Sequence, residues 1–299
     1  MYDRKFSASL IIASKGTELA EVITTPYGEM RSRDGANLIF TSNDAKGIYT
    51  HWYEHHNLPK EAYIYLENPT MVDVEEAINQ INKILSNYPQ EKTGIDLFFA
   101  GHGEPFSGSL VIKDYILSAE ELIYVISKPL NKTKGSRGLS FILDSCYAGG
   151  FLIDTIIELE KSKTNIMLFD ALVSSMYDEK SWELSFLEHG AFTFSFLNKG
   201  NAYIDDLEFT KAIEKNDFKI IAKYLQGVVG LRGASSVAFL TQAKQHSIDC
   251  IKGHHFTVNG HGSFSLIDIK GTITKEVLKE RFLEAKNEIW NSHKGMSVT

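Results

Sequence analysis

Five short apolar runs, separated by segments of helical or loop character, constrain the fold of this chain more than any other feature. They are Ala8–Ala13, Ala62–Leu66, Ile95–Ala100, Leu139–Leu143 and Asn165–Leu172. Runs this short and this continuous suit strands that are covered on both faces. Helical patterns lie between them. Beyond Asn68-Pro69-Thr70, the residues Val72, Val74, Ala77, Ile78, Ile81, Ile84 and Leu85 make an apolar stripe at helical spacing. Ser118-Ala119-Glu120-Glu121 is a capping box that opens a helix to about Ile126. Phe151–Lys161 reads as a further helix, and another ends at Leu197 after starting near Leu184 or Gly190. Strands alternating with helices predict βαβ units and a mainly parallel sheet.

The weaker elements fill in around this frame. A hairpin is expected at Tyr27-Gly28, a strand at Asn37–Phe40 and a short strand at Leu110–Ile112. Asp44 is expected to cap a helix running to about Asn57. Lys128–Gly138 and Ser174–Trp182 read as loops. Past residue 205 the pattern thins: Phe209–Leu225 is a helical candidate and Ser236–Leu240 a strand that completes the sheet. Residues 245–272 alternate like strands, and Lys275–Trp290 is a charged amphipathic helix. A main domain over 1–240 and a C-terminal extension over 241–299, packed on the same core or apart from it, are the expected organisation.

Composition narrows the classes. The chain has 299 residues, 43% of them apolar, enough for one large domain or one domain with a smaller companion. A net charge of -7 without a basic block gives nucleic acid no electrostatic footprint. The N-terminal residues lack a secretory signal pattern, and no apolar run is long enough to span a bilayer. Two cysteines, Cys146 and Cys250, make no disulfide framework and fit a reducing cytoplasm.

Two of the apolar runs deliver reactive side chains. Phe98-Phe99-Ala100-Gly101-His102-Gly103 ends in a histidine between glycines, and Phe141-Ile142-Leu143-Asp144-Ser145-Cys146 ends in a cysteine ahead of Gly149-Gly150. Strand carboxyl ends in a parallel sheet share one edge, so a thiol and an imidazole can meet there. That pair is the minimal apparatus of a cysteine hydrolase. A following helix N-terminus would favour the thiolate. Backbone N–H groups at Gly103 and Cys146 are the candidate oxyanion donors.

With these residues in place, the chain resembles the caspase-like cysteine peptidases, the group of caspases, metacaspases and their bacterial relatives. The matching elements run in family order: a strand ending in His102-Gly103, then Leu110–Ile112, Asp114 and the helix at Ser118–Ile126. A second strand follows, ending in Asp144-Ser145-Cys146, then Ser174-Ser175 with an acidic loop and Gly190-Ala191-Phe192-Thr193. The distance from His102 to Cys146 is close to the roughly 50 residues of caspases. The likeness covers about residues 5–205 and extends toward 240. It implies a three-layer α/β/α sandwich, with His102 as general base and Cys146 as nucleophile. Asp144 stands where caspases carry Gln. Metacaspases carry Asp there and cleave after Arg or Lys, but Tyr147-Ala148-Gly149 replaces their usual His-Ser-Gly. The match is therefore to the broad family, as a prokaryotic member, with no cofactor required. Resemblance also implies control by a partner protein in bacterial defence or cell death.

Substrate preference follows from the acids. On a strand, residues i and i+2 share a face, so Asp144 projects toward the same mouth as Cys146. A carboxylate there suits a P1 Arg or Lys, and Asp178 is the second candidate acid. The competing role for Asp144 is a bond to a backbone N–H or a helix cap. An acidic P1 would need an arginine-lined pocket, for which Arg31, Arg33, Arg137 and Arg232 are the few candidates. Lys132, Lys134 and Arg137 mark a basic loop open to self-cleavage.

Two readings compete. His51-Trp52-Tyr53-Glu54-His55 fits the HxxEH pattern of certain zinc peptidases, and His246, Cys250, His254, His255 and His261 form a second cluster without paired cysteines. A catalytically silent interaction protein on the same fold is the other alternative.

Overall fold

The computed structural model describes residues 6–16, 23–25, 28–30, 38–55, 58–131, 134–178, 180–181, 183–184, 188–197, 237–240, 255–258, 262–265 and 271–293. Its strands are β1 (Phe6–Ala13), β2 (Ile23–Thr25), β3 (Gly28–Met30), β4 (Tyr63–Glu67), β5 (Thr93–Ala100), β6 (Leu110–Val111), β7 (Ile116–Leu117), β8 (Arg137–Asp144), β9 (Ile166–Val173), β10 (Glu183–Leu184), β11 (His189–Gly190), β12 (Val237–Leu240), β13 (His255–Val258) and β14 (Gly262–Ser265). Its helices are α1 (Thr41–His55), α2 (Met71–Leu85), α3 (Ala119–Ser127), α4 (Ala148–Ser162), α5 (Ala191–Leu197) and α6 (Lys275–His293).

One eight-stranded sheet runs β14-β13-β12-β9-β8-β5-β1-β4. The five strands from β4 to β9 are parallel, and β12, β13 and β14 join antiparallel. This is the mainly parallel α/β sheet that the alternating pattern predicts. The chain leaves β1 for β4 on one side and returns to β5 on the other. The strand order therefore switches direction between β1 and β5, the place at the carboxyl edge where open α/β sheets bind ligands.

Strand periodicity makes the layers. In β1, Ala8, Leu10 and Ile12 face one core while Ile11 and Ala13 face the other. β5 splits in the same way, with Ile95, Leu97 and Phe99 against Phe98 and Ala100. The first core takes the apolar faces of α2, α3 and α4, with Leu278 and Phe282 of α6. The second takes Ala45, Ile48 and Trp52 of α1 and Phe192 of α5. A sheet buried on both faces needs continuous apolar strands, and that is why the sequence shows runs rather than alternation. The extension expected from residue 241 contributes β13, β14 and α6 to this sheet and core.

Thr70 and Ser118 each close a full capping box, on α2 and α3. The strand expected at Asn37–Phe40 is corrected: Leu38–Phe40 is irregular, and the Phe40 carbonyl accepts the N–H groups of Asn43 and Asp44 to start α1. Asn37 lies outside the described residues. Asp44 accordingly falls inside the first turn of α1 instead of capping it. Arg137 is not part of an open loop either. It begins β8, is buried, and donates to Thr93 Oγ1 at 3.0 Å and to Asn82. The helix expected at 209–225, and Lys132, Arg31, Arg33 and Arg232, lie outside the described residues. Among the described residues, no helix is long and apolar enough to cross a membrane.

Candidate active site

Register fixes the meeting of the two reactive strand ends. β5 and β8 pair in parallel up to Ala100 opposite Asp144. One step further, the Gly101 N–H donates to the Asp144 carbonyl at 3.1 Å. Beyond that, backbone touches backbone: a Cβ built on Gly103 would lie 1.9 Å from the Cys146 carbonyl oxygen. Only glycine admits this approach, and it sets His102 and Cys146 at adjacent strand ends. The His102 ring lies over Gly16 at the end of β1, where an added Cβ would stand 3.2 Å from Cδ2. The imidazole thus lies beside the residues that follow β1.

The turn after Cys146 is sharp. Tyr147 adopts a left-handed conformation, φ 58°, uncommon for a residue with a side chain, and α4 begins at once. Ser175 serves this helix in place of an ordinary cap. Its hydroxyl accepts the Ala148 N–H at 3.0 Å and its carbonyl accepts the Gly149 N–H at 2.9 Å. The Ser174 hydroxyl holds the Ser145 N–H at 3.1 Å. The sequence flagged this serine pair only through the family likeness; its role in bracing the nucleophile turn emerges from the geometry.

The expected lowering of the thiol pKa is corrected. Burial pushes the Cys146 thiol up. The Ser181 backbone and the Lys180 charge pull it down, and Asp144 adds to the rise. The first N–H groups of α4 are already taken by Ser175 and Tyr147, so the helix terminus has little left to offer the sulfur. The thiol donates to the Ser181 carbonyl at 3.6 Å.

Asp144 is buried at the same edge. Its Oδ1 accepts from the Ser181 hydroxyl at 2.8 Å, and its Oδ2 accepts from the Thr193 hydroxyl at 2.7 Å and the Thr193 N–H at 3.1 Å. Burial raises its pKa against those bonds. A second buried carboxylate, Asp44, stands close by, and sequence reasoning placed it only as a helix cap. Asp44 shares a 2.8 Å hydrogen bond with His189 Nδ1 and accepts the Gly190 N–H at 3.1 Å. Its pKa rises from 3.8 to about 7, chiefly through burial, with the His189 bond opposing and the Asp144 charge adding to the rise. An isolated Asp within a helical stretch gives no signal of this kind from sequence. Asp178, the other expected acid, is exposed in the loop after β9.

His51 of the HxxEH pattern packs its ring edge-on to Phe196, with centroids 5.8 Å apart, and Glu54 is exposed. Among the described residues, no three His, Cys, Asp or Glu side chains are grouped to hold a metal. His246, Cys250, His254 and His261 lie outside the described residues; of that cluster only the backbone of His255, in β13, is described.

No protein family model matches the chain, and no curated protein matches it. Among solved structures, it is similar to the crystal structure of caspase-1 from Spodoptera frugiperda. That similarity has 14% sequence identity over 74% of this chain and 79% of that one, with a TM-score of 0.45.

Proposed function

We propose that this chain is a cytoplasmic cysteine endopeptidase of caspase-like type that cleaves proteins or peptides after Arg or Lys. The observation that carries the reading is the contact of Gly103 with the Cys146 carbonyl, which brings a histidine and a cysteine to one sheet edge beside two buried acids. His102 takes the Cys146 proton as substrate binds. The thiolate attacks the scissile carbonyl and forms an acyl-enzyme, and the amine leaves with a proton from His102. Water then hydrolyses the thioester. The Gly103 and Cys146 N–H groups face the developing oxyanion. Asp144 receives the P1 cation, joined by Asp44, with Asp178 outside at the rim. The chemistry requires no cofactor. A regulatory protein partner, in a bacterial defence or cell-death setting, belongs to the same proposal and rests on the family likeness.

A thiol that stays protonated until substrate arrives is compatible with this cycle, because the imidazole need remove the proton only as attack begins. The same half-buried thiol, with its raised pKa, also favours a second reading, a silent interaction protein on this fold. Fluorogenic peptides with P1 Arg, Lys, Asp and Ala, run on wild type and Cys146→Ala, separate the two. Turnover after Arg or Lys that vanishes in the variant is expected. Turnover after Asp would keep the peptidase and remove the acid pocket. Absence of turnover together with no labelling of Cys146 by a thiol-reactive peptide probe would favour the silent protein.

A further inference from the structure

Ser181 touches both halves of the site at once. Its carbonyl oxygen accepts the Cys146 thiol at 3.6 Å, and its hydroxyl reaches Asp144 Oδ1 at 2.8 Å. A bound substrate makes the same two demands on its P1 residue: the carbonyl against the nucleophile, the side chain toward the pocket acid. We propose that Ser181 occupies the P1 subsite of this chain's own cleft, as an internal stand-in for substrate that holds the site closed until a basic P1 residue displaces it. The subsite assignment rests on the peptidase reading and deepens it.

The contact blocks without reacting. The thiol meets the carbonyl oxygen as a donor, so the sulfur lone pair is not aimed at the carbonyl carbon. The serine hydroxyl gives Asp144 one neutral hydrogen bond, where an arginine would give a paired, charge-assisted contact. Displacement is therefore favourable for a cationic side chain and unfavourable for a neutral one. Selection operates through competition with Ser181 as well as through direct fit. Lys180, exposed beside it, keeps a positive charge near the thiol in the closed state.

The experiment labels Cys146 with two methanethiosulfonates of similar size, one carrying a trimethylammonium group and one a sulfonate. In each, the Cys146 thiolate attacks the reagent sulfur, a mixed disulfide forms, methanesulfinate leaves, and the thiol proton passes to solvent. Peptide mapping assigns the label to Cys146 and separates it from Cys250. The pH is held above the Asp44 value of about 7. Loss of a hydrogen bond to a carboxylate predicts that Ser181→Ala reacts about tenfold faster than wild type with the cationic reagent. The anionic reagent gains less, and Ser181→Thr, which keeps the hydroxyl, stays near wild type. Equal rates in wild type and Ser181→Ala would overturn the proposal. So would equal acceleration by both reagents, or a Ser181→Thr rate matching Ser181→Ala. Labelling needs no peptide turnover. Turnover after Arg with unchanged Ser181→Ala labelling would remove the Ser181 proposal and leave the peptidase standing. The expected labelling pattern without turnover would keep the Ser181 contact, and failure of the thiol-reactive peptide probe to label Cys146 would then remove the peptidase.

Discussion

The carboxyl groups of Asp44 and Asp144 flank one glycine: a Cβ on Gly190 would lie 2.3 Å from Asp144 Oδ2 and 3.2 Å from Asp44 Oδ2. One acid comes from the first turn of α1 and the other from the last residue of β8. Two like charges held this close and this dry oppose each other's ionisation. On the proposed reading, an incoming guanidinium would offset this repulsion, and the pocket would select by charge before shape.

This pairing makes folding stability depend on pH. Asp44 has an ordinary pKa of 3.8 and a folded value of about 7. Between those values the unfolded chain is ionised while the folded chain keeps its proton. The contribution of Asp44 to stability is therefore fully present at and below the unfolded value and is lost as pH rises to the folded value. Asp44→Asn removes that titration. Its stability relative to wild type should increase by on the order of 2 kcal/mol between about pH 5 and about pH 8. Urea titrations at the two pH values measure it, and parallel profiles for the two proteins would refute it.

Asp144→Asn keeps the shape of the acid and removes its charge. Turnover of P1 Arg peptides should fall by roughly tenfold to a hundredfold through the lost charge-assisted pair. Alkylation of Cys146 by a small neutral reagent should persist, because the strand end is intact. Comparing kcat/KM for P1 Arg and P1 Ala peptides reads the effect; an unchanged ratio would take Asp144 out of the pocket.

His102→Ala should lower kcat by about 10²–10⁴-fold, the usual contribution of a general base. KM should move little, since the P1 cation is held elsewhere. A variant with wild-type kcat would leave the Cys146 proton without its assigned acceptor.

Gly103→Ala would force a methyl into the Cys146 carbonyl, a backbone atom that cannot rotate away. The two strand ends must part, at a cost of about 1–3 kcal/mol in stability and with loss of most peptide turnover. Thermal denaturation and the Arg peptide assay on the same preparation test both; full activity would mean that the contact is dispensable.

The sheet was legible because each parallel strand is covered on both sides and so appears as an unbroken apolar run; Ile95–Ala100 and Leu139–Leu143 sit inside β5 and β8. His102 and Cys146 were legible for the same reason, as the polar residues that end those runs. Asp44 was not. Its partners, His189 and Gly190, lie far along the chain, and a carboxylate in a first helical turn is more often a response to the helix terminus. Ile39 and Phe40 misled as a strand, because hydrophobicity over so few residues does not distinguish a strand from the turn before a helix. The thiol pKa was misjudged in direction, since sequence does not show how far packing withdraws the sulfur from water.

The provenance of Asp44 has a consequence for how such a site can change. Cys146 and His102 hang from central strands, locked by sheet register, whereas Asp44 rides on a helix of an outer layer. A single exchange on α1 can therefore remove one of the two buried carboxylates without touching the strands that carry His102 and Cys146. Of the two buried acids at this edge, Asp144 is tied to the strand that carries the thiol, whereas Asp44 can be exchanged while that strand stands still.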